Sequence, residues 1–178
     1  MDYKNTHRDL IESCKQGNRK SHFELYRLYS RAMFNTCLRM VKNEADAEDI
    51  LQSSFVDVFT KLHTFRFQSS IGAWIKRIII NNCINFLKRK RLSIVEMNTN
   101  VIHLTATEAT EEFPTGKVDE VRAAMMALPT GYRLVTSLYL LEGYDHKEIA
   151  QILGITEATS KSQFSRAKKK LREMLKNK

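Results

Sequence analysis

Lys161, Ser162, Ser165, Arg166 and Lys169 lie at offsets of one, four, five and eight from the first of them. On a helix they share one stripe. Cations and hydroxyl donors on such a stripe suit base edges and phosphates. Thr159, at the start of the same helix, joins them as a candidate contact. Phe164, Ala167 and Leu171 recur at three- and four-residue steps and form the opposing, apolar face. Residues 160–178 carry eight cations and one acid, a net +7. The cations from Lys170 onward fit a solvated helix end favoured by the dipole. A second candidate is the pair Asn81 and Asn85, one turn apart in an otherwise apolar helix. Buried without partners, such amides are costly; exposed, they can read base edges. No nucleotide-binding loop, nucleophile–base pair or metal-ligand set is visible, so no catalytic residue, metal, cofactor or small-molecule substrate is expected. Cys14, Cys37 and Cys83 are scattered and form no C-x-x-C pair; they read as reduced, core-filling thiols.

The basic stripe needs a frame to present it. Asp145 and Glu148 make a capping-box pattern for a short helix, Gly154 ends it, and Thr156 can cap the helix that follows. Ile149, Leu153 and Ile155 supply an apolar seam, Ala150 is small where two helices must approach, and Gly154 suits the positive φ of the turn. These are the proportions of a helix-turn-helix. Before it, Pro129 fits the first position of a helix over residues 132–141.

The rest of the chain is also helical in pattern. Its 178 residues include only 6 Gly and 2 Pro, and no alternating run could build a sheet. Leu10, Ile11 and Cys14 suggest a short helix, and Phe23, Tyr26, Leu28, Phe34, Leu38 and Val41 the stripe of a longer one. Asn43 reads as the cap of a third helix striped by Ile50, Leu51, Phe55, Val58, Phe59 and Leu62. A loop over 64–70 precedes a last helix reaching Arg91. Residues 92–117 lack periodicity, carry Glu96, Glu108, Glu111 and Glu112, and read as a flexible acidic linker. The expectation is an all-α protein with two small helical domains, residues 1–91 and 118–178, joined by residues 92–117, the second containing the helix-turn-helix. The formal charge of +9 favours a polyanion, either nucleic acid or an anionic membrane surface. No apolar leader opens the chain, and residues 75–87 are too short and polar to span a bilayer, so a cytoplasmic protein without membrane insertion is expected.

Three stretches carry a resemblance to a known family: NEADAEDILQSSFVDVFTKLHTF, FRFQSSIGAWIKRIIINNCINFLKRKR and LPTGYRLVTSLYLLEGYDHKEIAQILGITEATSKSQFSRAKKKL. In that order and spacing the chain resembles the extracytoplasmic-function sigma factors of bacterial RNA polymerase. The resemblance implies promoter recognition and strand opening as a subunit of the polymerase, with core RNA polymerase and promoter DNA as partners and an anti-sigma factor as a further one. It implies that Asp46, Asp49 and Gln52 dock on the polymerase clamp, where an acidic and amide face offers acceptors to a basic helix. It implies that the loop over 65–70, with Phe67, Gln68, Ser69 and Ser70, holds a base extruded from the −10 element. Asn81 and Asn85 would read that element, with Arg77, Lys88, Arg89, Lys90 and Arg91 on phosphates. The stripe of Thr159, Lys161, Ser162, Ser165, Arg166 and Lys169 would meet the −35 element. The linker acids would stand in for nucleic-acid phosphates in a basic channel of the polymerase. Ser160 stands where the family has a valine, which implies looser packing of the last helix. A stand-alone helix-turn-helix regulator with a helical sensor or dimerisation domain accounts for the second half equally, but not for the acidic helix, aromatic loop and basic helix of the first. An enzyme acting on nucleic acid would need a carboxylate cluster that the chain lacks.

Overall fold

A computed structural model describes residues 7–97 and 117–176, with the side chains of 91–97 and 117 outside the description. The helices are α1 (Arg8–Lys15), α2 (Arg19–Val41), α3 (Glu44–Lys61), α4 (Ile71–Met97), α5 (Lys117–Ala127), α6 (Thr130–Leu140), α7 (His146–Leu153) and α8 (Glu157–Lys176). A 3₁₀ turn, Leu62–Thr64, follows α3. Among the described residues there is no strand, and no helix is long and apolar enough to cross a membrane. The chain forms two compact units that divide within α4, after Leu87. Residues 98–116, most of the expected linker, lie outside the described residues. The helix α4 continues through Met97, past Leu92 where the linker is expected to start.

In the first unit, local chemistry sets the helix ends. Asn18 accepts from the backbone N–H groups of Lys20 and Ser21 to start α2, and Asn43 accepts from that of Asp46 to start α3. Each satisfies donors that the first helical turn leaves unpaired. The core forms from Ile11, Leu25, Met33, Met40, Ile50, Phe55, Val58, Ile75, Ile79 and Ile80. The expected stripe of α2 is wrong in part: Val41 is buried as expected, but Phe23 and Leu28 are 68% and 45% exposed, and Leu25, Met33 and Cys37 face inward instead. The α3 stripe is nearer the mark, although Phe59 is only half-buried. All three cysteines are free and buried. Burial raises the Cys14 thiol to about 11, and the neighbouring Cys37 and burial push Cys83 well above its ordinary value, so both remain protonated.

In the second unit α8 packs on α5, α6 and α7. Pro129 is the cap residue of α6 rather than its first helical position. Arg133 is buried, donates to the carbonyl of Leu128 at 3.1 Å and is lowered to about 10 by burial. The capping box of Asp145 and Glu148 is complete, and Gly154 closes α7 at φ +69°. The Thr156 hydroxyl accepts from the Thr159 N–H at 3.1 Å and starts α8. These local signals produce the helix-turn-helix geometry of α7 and α8.

Candidate nucleic-acid interface

The front of α8 presents Lys161, Ser162, Ser165, Arg166 and Lys169, all exposed, while Phe164 and Ala167 are buried and Leu171 half-buried. Thr159 differs from the rest: it is half-buried, and its hydroxyl lies 2.8 Å from that of Thr156 within the cap. Lys161 is paired with Glu157 at 2.7 Å, and Ser162 donates to the Thr159 carbonyl at 3.0 Å. Among the described residues, Arg166 and Lys169 form no such pair, and they lie further along the open stripe. Glu157 raises the Lys161 ammonium above its ordinary value, and Lys161 lowers Glu157.

Ser160 is fully buried, and its hydroxyl lies 2.9 Å from Nδ1 of His146. The His146 ring stacks on Tyr139, centroids 4.6 Å apart, and Phe164 lies 4.5 Å from Tyr139. A buried hydroxyl with a partner avoids the desolvation penalty of an unpaired one. The serine therefore closes the seam between α7 and α8, and the looser packing expected of it is corrected.

On α4, Arg77, Asn81, Asn85, Lys88 and Arg89 are all exposed, and the spacing 77, 81, 85, 88 keeps them on one stripe. Lys90 is exposed too, while the side chain of Arg91 lies outside the description. Sequence reasoning passed over the neighbouring Asn82. Its Nδ2 donates to Ser54 Oγ and Asp57 Oδ2, both at 2.9 Å, tying α4 to α3 and fixing which way the stripe faces. The Asn82 amide holds the Asp57 carboxyl below its ordinary range, against partial burial and with help from Lys61. A depressed carboxylate stabilises the fold above its unfolded pKa, and that contribution is lost as pH falls through the folded value. Asn82→Ala should therefore cost about 1 kcal/mol at neutral pH, with the deficit shrinking in acid. Urea unfolding at descending pH measures this; a deficit unchanged by acid would detach it from Asp57.

The loop before α4 is aromatic and polar. Phe65 is buried, 5.5 Å from the half-buried Trp74, and Phe67 is half-buried, 4.9 Å from Phe65. Phe67 has φ +57°, a left-handed conformation that costs a bulky residue about 1–3 kcal/mol. Arg8 Cζ and Lys15 Nζ, both from α1, lie 5.1 and 4.7 Å from its ring centroid. Gln68, Ser69 and Ser70 are exposed. The Ser70 hydroxyl accepts from the Ala73 N–H at 3.2 Å, so it also serves as a cap for α4.

On α3, Asp49 and Gln52 are exposed and Asp46 is half-buried. Beside them lies a groove of about 340 Å³ lined by Tyr26, Phe34, Glu44, Glu48, Leu51 and Gln52. Glu44 and Glu48 were not singled out, although the spacing 44, 48, 52 marks one helical stripe. The face offers carboxylate and amide acceptors around an apolar floor. Among the described residues, no three His, Cys, Asp or Glu side chains gather as metal ligands.

The family model for sigma-70 region 2 matches residues 25–92, and that for sigma-70 region 4 matches residues 119–171. The chain is 25% identical to the ECF RNA polymerase sigma factor SigM of Mycobacterium tuberculosis, over 94% of this chain and 83% of that one. It is 27% identical to the ECF RNA polymerase sigma-E factor of Haemophilus influenzae, over 97% and 95%. Among solved structures, the sigma factor RpoE in complex with the anti-sigma factor NepR from Bartonella quintana shares the fold. Its TM-score is 0.62 at 24% identity, covering 88% of this chain and 98% of that one.

Proposed function

The chain belongs to the sigma-70 family as a sigma factor of the extracytoplasmic-function type, and from that premise we propose how its two units divide the work at a promoter. Sigma factors direct RNA polymerase to promoters and initiate transcription. In this reading residues 1–91 bind core polymerase and the −10 element, and residues 118–178 bind the −35 element. The observation that supports it is the pair of exposed polar stripes, Arg77, Asn81, Asn85 and Lys88 on α4 and Lys161, Ser162, Ser165, Arg166 and Lys169 on α8, each backed by a buried face. Arg166 and Lys169 are the strongest −35 contacts. Thr159 is a weaker one because its hydroxyl is engaged in the cap. Asp49 and Gln52, with Glu44 and Glu48, take the basic partner helix of the polymerase; Asp46 serves chiefly at the start of α3. Phe67, Gln68 and Ser69 hold the extruded base, with Ser70 shared between that task and the α4 cap. Arg77, Lys88, Arg89 and Arg91 meet phosphates. Catalysis rests with the core enzyme, and the site of action is the cytoplasm. An anti-sigma factor is a further proposed partner, since the fold neighbour RpoE was solved with one.

Gel filtration with purified core polymerase tests the reading. The wild-type chain should co-elute with the core in the absence of DNA. Asp49→Ala/Gln52→Ala should weaken that association by about tenfold or more, as expected for losing interfacial contacts worth about 1.4 kcal/mol. Its circular dichroism should be unchanged, because both residues are exposed. Undiminished co-elution would remove the docking assignment. Failure of the wild-type chain to bind core at all would leave the stand-alone regulator.

A further inference from the structure

We propose that α1 belongs to the single-strand interface: Arg8 and Lys15 cap the Phe67 ring in the free chain and pass to the phosphates flanking the extruded base when that base takes the face of the ring. The inference rests on the reading of the 65–70 loop given above. α1 precedes the segment matched by the region 2 model, which begins at residue 25.

α1 is firmly placed. Ile11 and Cys14 are buried, His22 Nε2 lies 2.8 Å from the Cys14 carbonyl, and the hydroxyls of Ser13 and Ser21 are 2.7 Å apart. Arg8 and Lys15 are seven residues apart, two turns along one helix face. That face lies over the loop, and both cations fall within about 6 Å of the Phe67 centroid, the range of a cation–π contact. Lys15 is also paired with Glu12 at 3.1 Å, and the Glu12 side chain is 47% exposed. The two cations lean on a ring held in a left-handed conformation at the edge of a polar loop.

A nucleotide answers both parts of this arrangement. Its base offers a π-face that stacks on an aromatic ring, and its phosphates offer charges that bind a cation more strongly than a ring does. Stacking of the base displaces the cations from the ring, and the phosphates on either side of the base lie within reach of side chains as long as Arg and Lys. No covalent step is involved. The exchange keeps the ring shielded from water until DNA arrives.

Holoenzyme assembled with core polymerase can be titrated with fork-junction DNA whose single-stranded overhang is randomised, at several salt concentrations. Arg8→Gln/Lys15→Gln should weaken binding and reduce the slope of log K against log salt by about 1.4, or about 0.7 for each cation on a single strand. On blunt duplex DNA the variant should keep the wild-type slope. Lys15→Arg should behave as wild type. Phe67→Ala, run in parallel, should weaken overhang binding without changing the slope, because a stacking surface carries no charge. A wild-type slope in the double variant overturns the inference. If it weakens binding at unchanged slope, as Phe67→Ala does, α1 merely braces the ring and the inference also falls. An inert Phe67→Ala beside a reduced slope in the double variant would instead strike at the loop reading and leave the phosphate contacts of α1 standing.

Discussion

Phe164→Ala is expected to destabilise the second unit by about 3 kcal/mol, the low end for deleting a buried aromatic side chain. The side chain is 8% exposed and holds three helices together: its ring lies 4.5 Å from Tyr139 on α6 and 5.6 Å from His146 on α7, with Lys168 Nζ 4.9 Å from its centroid. The low end applies because Tyr139 is itself 38% exposed, so the site can partly collapse. For a unit of this size the melting temperature should drop by more than about 10 °C. Thermal unfolding by circular dichroism would show the second unit losing its transition while the first, which shares no part of this cluster, keeps its own. Binding to −35 duplex should fall with it, because the stripe of Lys161 to Lys169 is presented only while the opposite face of α8 is packed. A melting temperature within a few degrees of wild type would mean that the cluster contributes little and that α8 is held chiefly by α5.

The double variant Asn81→Ala/Asn85→Ala is expected to lose strand opening. Both amides are exposed on α4, and the helix is locked at that rotation by the adjoining Asn82, which bonds to Ser54 and Asp57 of α3. A lost base contact costs about 1–3 kcal/mol, so losing two should lower open-complex formation by tenfold or more. Permanganate reactivity of a promoter mapped by its transcription start would report this directly. Folding should be unaffected, since alanine favours a helix more than asparagine does. If the variant melts the promoter as well as wild type, the amides do not read the −10 element and the stripe reduces to its cations. The two outcomes are independent of Phe164→Ala, because the residues lie in different units.

The parts of this protein legible in the sequence are those governed by neighbours in the chain. The Asn43 cap, the Asp145–Glu148 box, the positive φ of Gly154 and the Thr156 cap each involve groups within about one helical turn, so spacing alone identifies them. The two faces of α8 are equally legible, because its apolar and cationic residues fall on opposite sides without ambiguity. The buried face of α2 was not, since apolar residues surround that helix and only packing on α3 and α1 decides which of them turn inward. Other features depend on partners distant in sequence: Asn82 with Ser54 and Asp57, His146 with Ser160, and Phe67 with Arg8 and Lys15. No local period reports such a contact, because its energy exists only once separate helices are brought together. The sequence by itself determined the helices, the turn and the chemistry of the exposed stripes, all of which rest on short-range hydrogen bonds and helical periodicity. Only the tertiary structure decided which asparagine is structural, why a serine can fill an apolar seam, and that the first helix covers the aromatic loop, because each follows from desolvation and contact across the packed core.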